Sequence, residues 1–177
     1  GPVGVVFVTI DPARDDAAAM KQYVDYYRSG FIGLTGSEDE IRATADEILT
    51  TVRRAFEAGW QLLKMYFMIG FPMETRADLE AMADLCRRAL AVGREVARKS
   101  HLHVSINTFI PKPHTPFQWE AQLSRTESQA RLHECKELLQ HKHIGIKWNP
   151  SGQSWLEGIL ARGDRRLAPV IMTAQRR

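Results

Sequence analysis

Cysteine is scarce in this chain: only Cys86 and Cys135 occur, far apart and each inside a helical pattern. That excludes a disulfide framework and any closely spaced thiolate cluster. Long apolar runs are also missing, since none approaches the roughly 18 residues that a membrane-spanning helix needs. No basic-then-apolar leader opens the sequence, and there is no internal repeat or low-complexity tract. The chain starts at Gly1 and enters a strand almost at once, so it reads as an excised piece. These absences lead to the expectation of a thiol-reduced, cytoplasmic protein with no membrane partner.

What is present is ordinary globular material. The 177 residues are 44% hydrophobic and 25% charged, enough for one domain or two small ones with a real core. The net charge of +3 conceals a change of sign. Residues 1–46 hold 4 Lys/Arg against 8 Asp/Glu, whereas residues 47–177 hold 20 against 13. All four tryptophans lie in the second part, as expected for two segments of different origin. The basic residues are scattered along helical patterns rather than clustered, so no nucleic-acid partner is expected.

Strand and helix signals alternate. Val3 to Ile10 is a β-branched and aromatic run stopped by Asp11-Pro12, because the residue before a proline leaves helical space. Met20, Tyr23, Val24 and Tyr27 then share a helical face that ends at Gly30, and Phe31 to Leu34 forms a short strand. Ser37-Glu38-Asp39-Glu40 is a capping box, followed by Ile41, Ala45, Ile48, Val52 and Phe56 at helical spacing up to Gly59. Trp60 to Ile69 is the strongest strand signal; after the turn Gly70-Phe71-Pro72, a helix from Thr75 buries Leu79, Met82, Ala83, Cys86 and Leu90.

Leu102 to Ile110 predicts the next strand and Pro111 to Gln122 a long loop. A second capping box, Ser124-Arg125-Thr126-Glu127, opens a helix to about His141. Ile144 to Trp148 is a short strand and Trp155 to Leu167 is helical. The expected fold is therefore α/β, with about five parallel strands alternating with helices in a partial barrel or an open parallel sheet.

In such folds chemistry gathers at the carboxyl ends of the strands. Gly70 permits close approach of a flat ligand, Phe71 offers a wall, and Glu74 and Thr75 stand at a helix N-terminus with free amides. The same residues also make an ordinary βα turn with an N-cap, and spacing does not separate the two readings. The histidines are expected to lie at the surface or at helix ends. His133 and Cys135 point about 200° apart on a helix and cannot chelate together, while His101 and His103 share a strand face with no third ligand. His114 lies in the loop facing the expected pocket.

Two resemblances overlay this pattern. The segment Leu63 to Thr75, with KMYFMIGFPMET at its heart, resembles the fifth-strand region of radical S-adenosylmethionine enzymes. Val104 to Glu120 resembles the sixth-strand signature of a radical S-adenosylmethionine family associated with cobalamin-binding domains, and Trp155 to Gly158 with Arg162 to Leu167 fits its tail. This likeness covers about residues 46–177. It implies S-adenosylmethionine contacts from Gly70, Phe71, Pro72 and Glu74, then Asn107, Phe109 and Pro111. That family's Cys-x3-Cys-x2-Cys loop for a four-iron cluster has no counterpart here, so no cluster is expected to bind and any S-adenosylmethionine affinity is expected to be weak or residual.

The front of the chain, Val5 to Asp15 with Tyr23-Val24 and Phe31 to Gly36, resembles the Sco/SenC family of thioredoxin-like copper chaperones over about residues 1–45. Its Cys-x3-Cys and downstream histidine are absent from matching context. The resulting expectation is a fragment of a radical S-adenosylmethionine enzyme that keeps part of a nucleoside surface, with no catalytic or metal residues of its own. Its expected partner is the missing amino-terminal half of the barrel. The alternatives are a Sco-like redox or copper protein and a non-catalytic fusion of two α/β fragments.

Overall fold

In the computed structural model, the described residues are 5–8, 31–34, 38–72, 74–115 and 117–176, with side chains described from residue 45 onward. The strands are β1 (Val5–Val8), β2 (Phe31–Leu34), β3 (Leu62–Ile69), β4 (His101–Thr108) and β5 (Ile144–Trp148). The helices are α1 (Glu38–Glu57), α2 (Arg76–Val96), α3 (Arg125–Leu138), α4 (Ser151–Arg162) and α5 (Ala168–Gln175), with a 3-10 turn at Arg165–Leu167. The contacts divide the chain into two compact units: residues 1–63 with 84–101, and residues 64–83 with 102–177.

The expectation of about five strands in one sheet or a partial barrel is corrected. The strands form a two-stranded parallel sheet, β1-β2, and an open three-stranded sheet of order β3-β4-β5. A barrel needs every strand paired on both sides, whereas β3 and β5 each form an edge of the described sheet. The β4-β5 register runs from Leu102 opposite Ile144 to Ile106 opposite Trp148. At the two ends of β3, the His101 N–H donates to the Gln61 carbonyl (2.9 Å) and the Phe109 N–H to the Ile69 carbonyl (2.7 Å). The same offset of 40 residues at both ends makes this pair parallel too.

In the first unit, α1 forms because Val52 and Phe56 fall four apart on one face, and both are buried. Phe56 occupies the space beside Gly93 of α2, where an added Cβ would lie 2.5 Å from the ring. Arg53 bonds Glu95 (2.6 Å) and Arg88 bonds Asp46 (2.7 Å), the same 42-residue offset each time, so these helices run parallel. Ser100 closes the end of α2, its buried hydroxyl 2.8 Å from the Gly93 carbonyl and 2.7 Å from that of Ala97.

In the second unit, Leu102, Val104, Ile106 and Thr108 of β4 alternate onto one buried face. The Thr108 and Ser128 hydroxyls, 2.9 Å apart, join that face to α3, whose Leu132 and Cys135 are also buried, as is Leu139 just past its end. The other side of β3 is open: Leu62, Lys64, Tyr66 and Met68 are exposed. The capping box at Ser124 forms as expected, Ser124 Oγ accepting from the Glu127 N–H (3.2 Å) and Glu127 Oε2 from the Ser124 N–H (2.9 Å). This helix stops at Leu138 rather than about His141, and the helix expected from Trp155 begins at Ser151 and breaks after Arg162. The expected helix before Gly30 and the Ser37 cap lie outside the described residues.

Candidate functional site

The carboxyl ends of β3 and β4 bring the sequence-selected residues together. Beyond Ile69 the chain turns at Gly70, whose φ of 87° favours glycine. Its N–H donates to Glu74 Oε2 (2.8 Å), and the Glu74 N–H donates to the Phe71 carbonyl (3.1 Å). Thr75 is tied to Asp78 through its N–H (2.7 Å) and hydroxyl (2.8 Å), which satisfies one of the first amides of α2. The Glu74 side chain is 2% exposed and its other oxygen is paired with Arg131 of α3. Burial pushes the Glu74 carboxyl above the usual glutamate range, against the opposing pull of the Gly70 amide and the Arg131 guanidinium.

Three phenylalanines pack beside this turn. Phe71 and Phe109 stack with centroids 4.7 Å apart at 29°, and Phe117 meets both edge-on at 6.0 and 5.5 Å. Phe109 and Pro111 are buried, whereas Phe71, Pro72 and Asn107 are half-buried. The space that Gly70 opens is filled from within: a Cβ there would lie 2.6 Å from Leu123 Cδ1. The residues left partly open to a small molecule are thus Phe71, Pro72 and Asn107, and the Gly70 N–H is already engaged.

Three further residues, Arg131, Phe117 and Leu123, shape this site without standing out in the sequence. The one signal for Arg131 is its spacing, since it falls three after buried Ser128 and four before buried Cys135, on the core-facing stripe of α3. Phe117 and Leu123 lie in the long loop, where no periodicity marks an inward residue.

Both cysteines are fully buried, and desolvation pushes their thiols up to about 12. Glu74 and Glu134 act in the same direction on Cys135. His133 is exposed and 3.4 Å from Glu137, on the other side of α3 from Cys135. His114 has a φ of 61° and donates its backbone N–H to Gln118 (3.3 Å). The His141 and His143 rings lie 5.6 Å apart. Among the described residues no three His, Cys, Asp or Glu side chains gather to hold a metal ion.

Comparison with known proteins supports the resemblance at the front of the chain. Residues 1–64 match the SCO1/SenC family. The chain is 48% identical over 42 residues to a SCO2-like protein of Rickettsia conorii, covering 24% of this chain and 20% of that one. It is 50% identical over 38 residues to a putative copper-binding protein of Stutzerimonas stutzeri, covering 22% and 19%. An uncharacterized protein of Methanocaldococcus jannaschii is 30% identical over 122 residues, 69% of this chain and 26% of that protein. The chain therefore spans about a quarter or less of the length of these curated relatives. No solved structure matches it.

These matches correct the functional expectation. The family model that matches, over residues 1–64, is SCO1/SenC; nothing in these matches supports the radical S-adenosylmethionine family, and one of the relatives is named for copper. The reading as a fragment of a radical S-adenosylmethionine enzyme, with residual affinity for that cofactor, is overturned. The strand-end motifs misled because a glycine turn followed by a capped helix is the common grammar of βα units and identifies no single ligand.

Proposed function

We propose that this chain is a Sco/SenC-type α/β segment, matched over residues 1–64, continued by a second α/β segment, and that it acts through binding surfaces rather than through copper-thiolate or redox chemistry of its own. The observation that carries this reading is the composition of the matched part: residues 1–64 contain neither cysteine nor histidine. Soft copper(I) requires thiolate, thioether or imidazole ligands, and Met20 is the one such side chain in that segment.

The later residues do not replace them. Cys86 and Cys135 are buried thiols whose deprotonation is disfavoured, and a metal ligand must be a thiolate. Copper therefore has no accessible thiolate among the residues described, and Cys86 and Cys135 support no copper-transfer step. At the ends of β3 and β4, Gly70, Glu74 and Arg131 serve to hold the turn, and Phe71, Pro72 and Asn107 are the residues a small ligand would meet.

Competition for copper(I) against a chromophoric chelator, with the full chain under reducing conditions, tests the reading. The chelator should keep all of the metal. Stoichiometric copper retained by the protein would sink the proposal, and loss of that copper in Cys86→Ala or Cys135→Ala would locate the error.

A further inference from the structure

The last two helices carry an apolar surface that the described residues leave uncovered. On α4, Trp155, Leu156 and Leu160 are 45%, 52% and 46% exposed; on α5, Val170, Ile171 and Met172 are 63%, 53% and 54% exposed. Three successive residues on a helix step by about 100° each, so Val170, Ile171 and Met172 sweep an arc of about 200°. That is wider than the stripe a helix presents to one neighbouring groove.

The charge flanking α5 is mainly positive, and the one carboxylate among the exposed residues of α4, Glu157, is paired with Lys112 (2.5 Å). Residues 160–177 contain Arg162, Arg165, Arg166, Arg176 and Arg177 against the single carboxylate of Asp164. Asp164 is engaged by Arg166 (2.9 Å), and Arg162 donates to the neutral Glu120 carbonyl (3.2 Å). Among the described residues Arg165 and Arg176 have no carboxylate partner. Arginines therefore bracket α5 before and after its apolar triplet, and Trp155 supplies an aromatic ring that is apolar in body and polar at the indole N–H.

We infer that α5 with its flanking arginines is a docking element for an anionic lipid bilayer, lying in the headgroup region with Val170, Ile171 and Met172 inserted and the arginines on the lipid phosphates. Charge complementarity selects this occupant: an apolar helix flanked at both ends by cations is the pattern that binds such interfaces, and long cationic side chains reach the headgroups while their stems cover apolar surface. A fluid bilayer accepts side chains spread over a wide arc, which a preformed groove does not. Spanning is a separate matter, since no described helix is long and apolar enough to cross a membrane. This inference does not depend on the proposed function.

The test is flotation of the full chain with phosphatidylcholine vesicles, with and without about one third phosphatidylglycerol. Binding to the anionic vesicles should be about tenfold or more tighter than to the neutral ones, and should weaken as salt screens the arginines. Ile171→Asp, at an exposed position where the fold tolerates a polar residue, should abolish binding with an unchanged melting curve. Arg176→Ala should reduce the preference for anionic vesicles and leave the residual neutral binding as it was. Equal recovery with both vesicle types, or binding that survives Ile171→Asp, overturns the inference. So does concentration-dependent self-association that Ile171→Asp removes while vesicle binding is absent, which would assign the surface to a second copy of the chain.

Discussion

The front of the chain and its β3-β4-β5 region differ in what they carry. Residues 1–64 match a family yet hold no thiol or imidazole. The later region, outside the matched family segment, holds all six histidines, both cysteines and the buried Glu74–Arg131 pair. Family likeness travels with the pattern of strand, turn and helix, whereas chemistry travels with a few side chains and their surroundings. Here those side chains are spent on structure: Glu74 holds a turn, Arg131 holds Glu74, and the cysteines fill the core.

Thiol labelling is the sharpest way to break that contrast. With both thiols pushed up from 9.0 to about 12, the thiolate fraction near neutral pH should be about a thousandfold lower than that of an ordinary cysteine. Iodoacetamide should therefore modify the native chain slowly and the urea-unfolded chain fast. Rapid labelling of either cysteine in the folded protein would show that the later region has a reactive group after all.

Removing the carboxylate at the turn should have the next largest effect. Glu74→Ala leaves the Gly70 N–H and the half-buried Arg131 without their acceptor and should cost about 1–3 kcal/mol in urea unfolding. Glu74→Gln, which retains an acceptor, should cost less. The direction of the Glu74 shift sets the pH dependence. A folded-state pKa raised above the unfolded value contributes stability that is fully present below the unfolded pKa and is lost as pH rises through the folded one. The stability of the parent relative to Glu74→Gln should thus decline as pH rises from acid toward neutral; an increase would show that Arg131 outweighs burial.

The smallest effect is at a helix end. Ser124→Ala removes one half of the capping box on α3 and should cost about 1 kcal/mol. A neutral result would mean that packing of Leu132 and Cys135 alone holds the helix start.

Local physics made much of this structure legible from sequence. The strand at Ile144–Trp148, the Phe56 side of α1, the buried stripe of α2 and the Ser124 cap all follow from spacing and capping within one element. The break between α4 and α5 was not legible, since Ala161 to Leu167 contains no proline and the helical pattern reads through Gly163. The candidate site was half legible: Gly70 and Glu74 were found, but as places for a ligand. Leu123 and Arg131, more than 50 residues away in sequence, occupy the space and the charge that a ligand was expected to use.

By itself, then, the sequence determined the alternation of strand and helix, the parallel direction it enforces, the burial of Cys86 and the absence of thiol and imidazole ligands from the front segment. Each depends on composition or on contacts within a few turns. Only the tertiary structure decided that the strands divide into sheets of two and three, that Glu74 meets Arg131, and that α4 and α5 leave their apolar residues uncovered. Pairing of strands, burial of a charge and exposure of a face are set by which distant segments meet, and hydrophobic periodicity records that a face is apolar without recording what covers it.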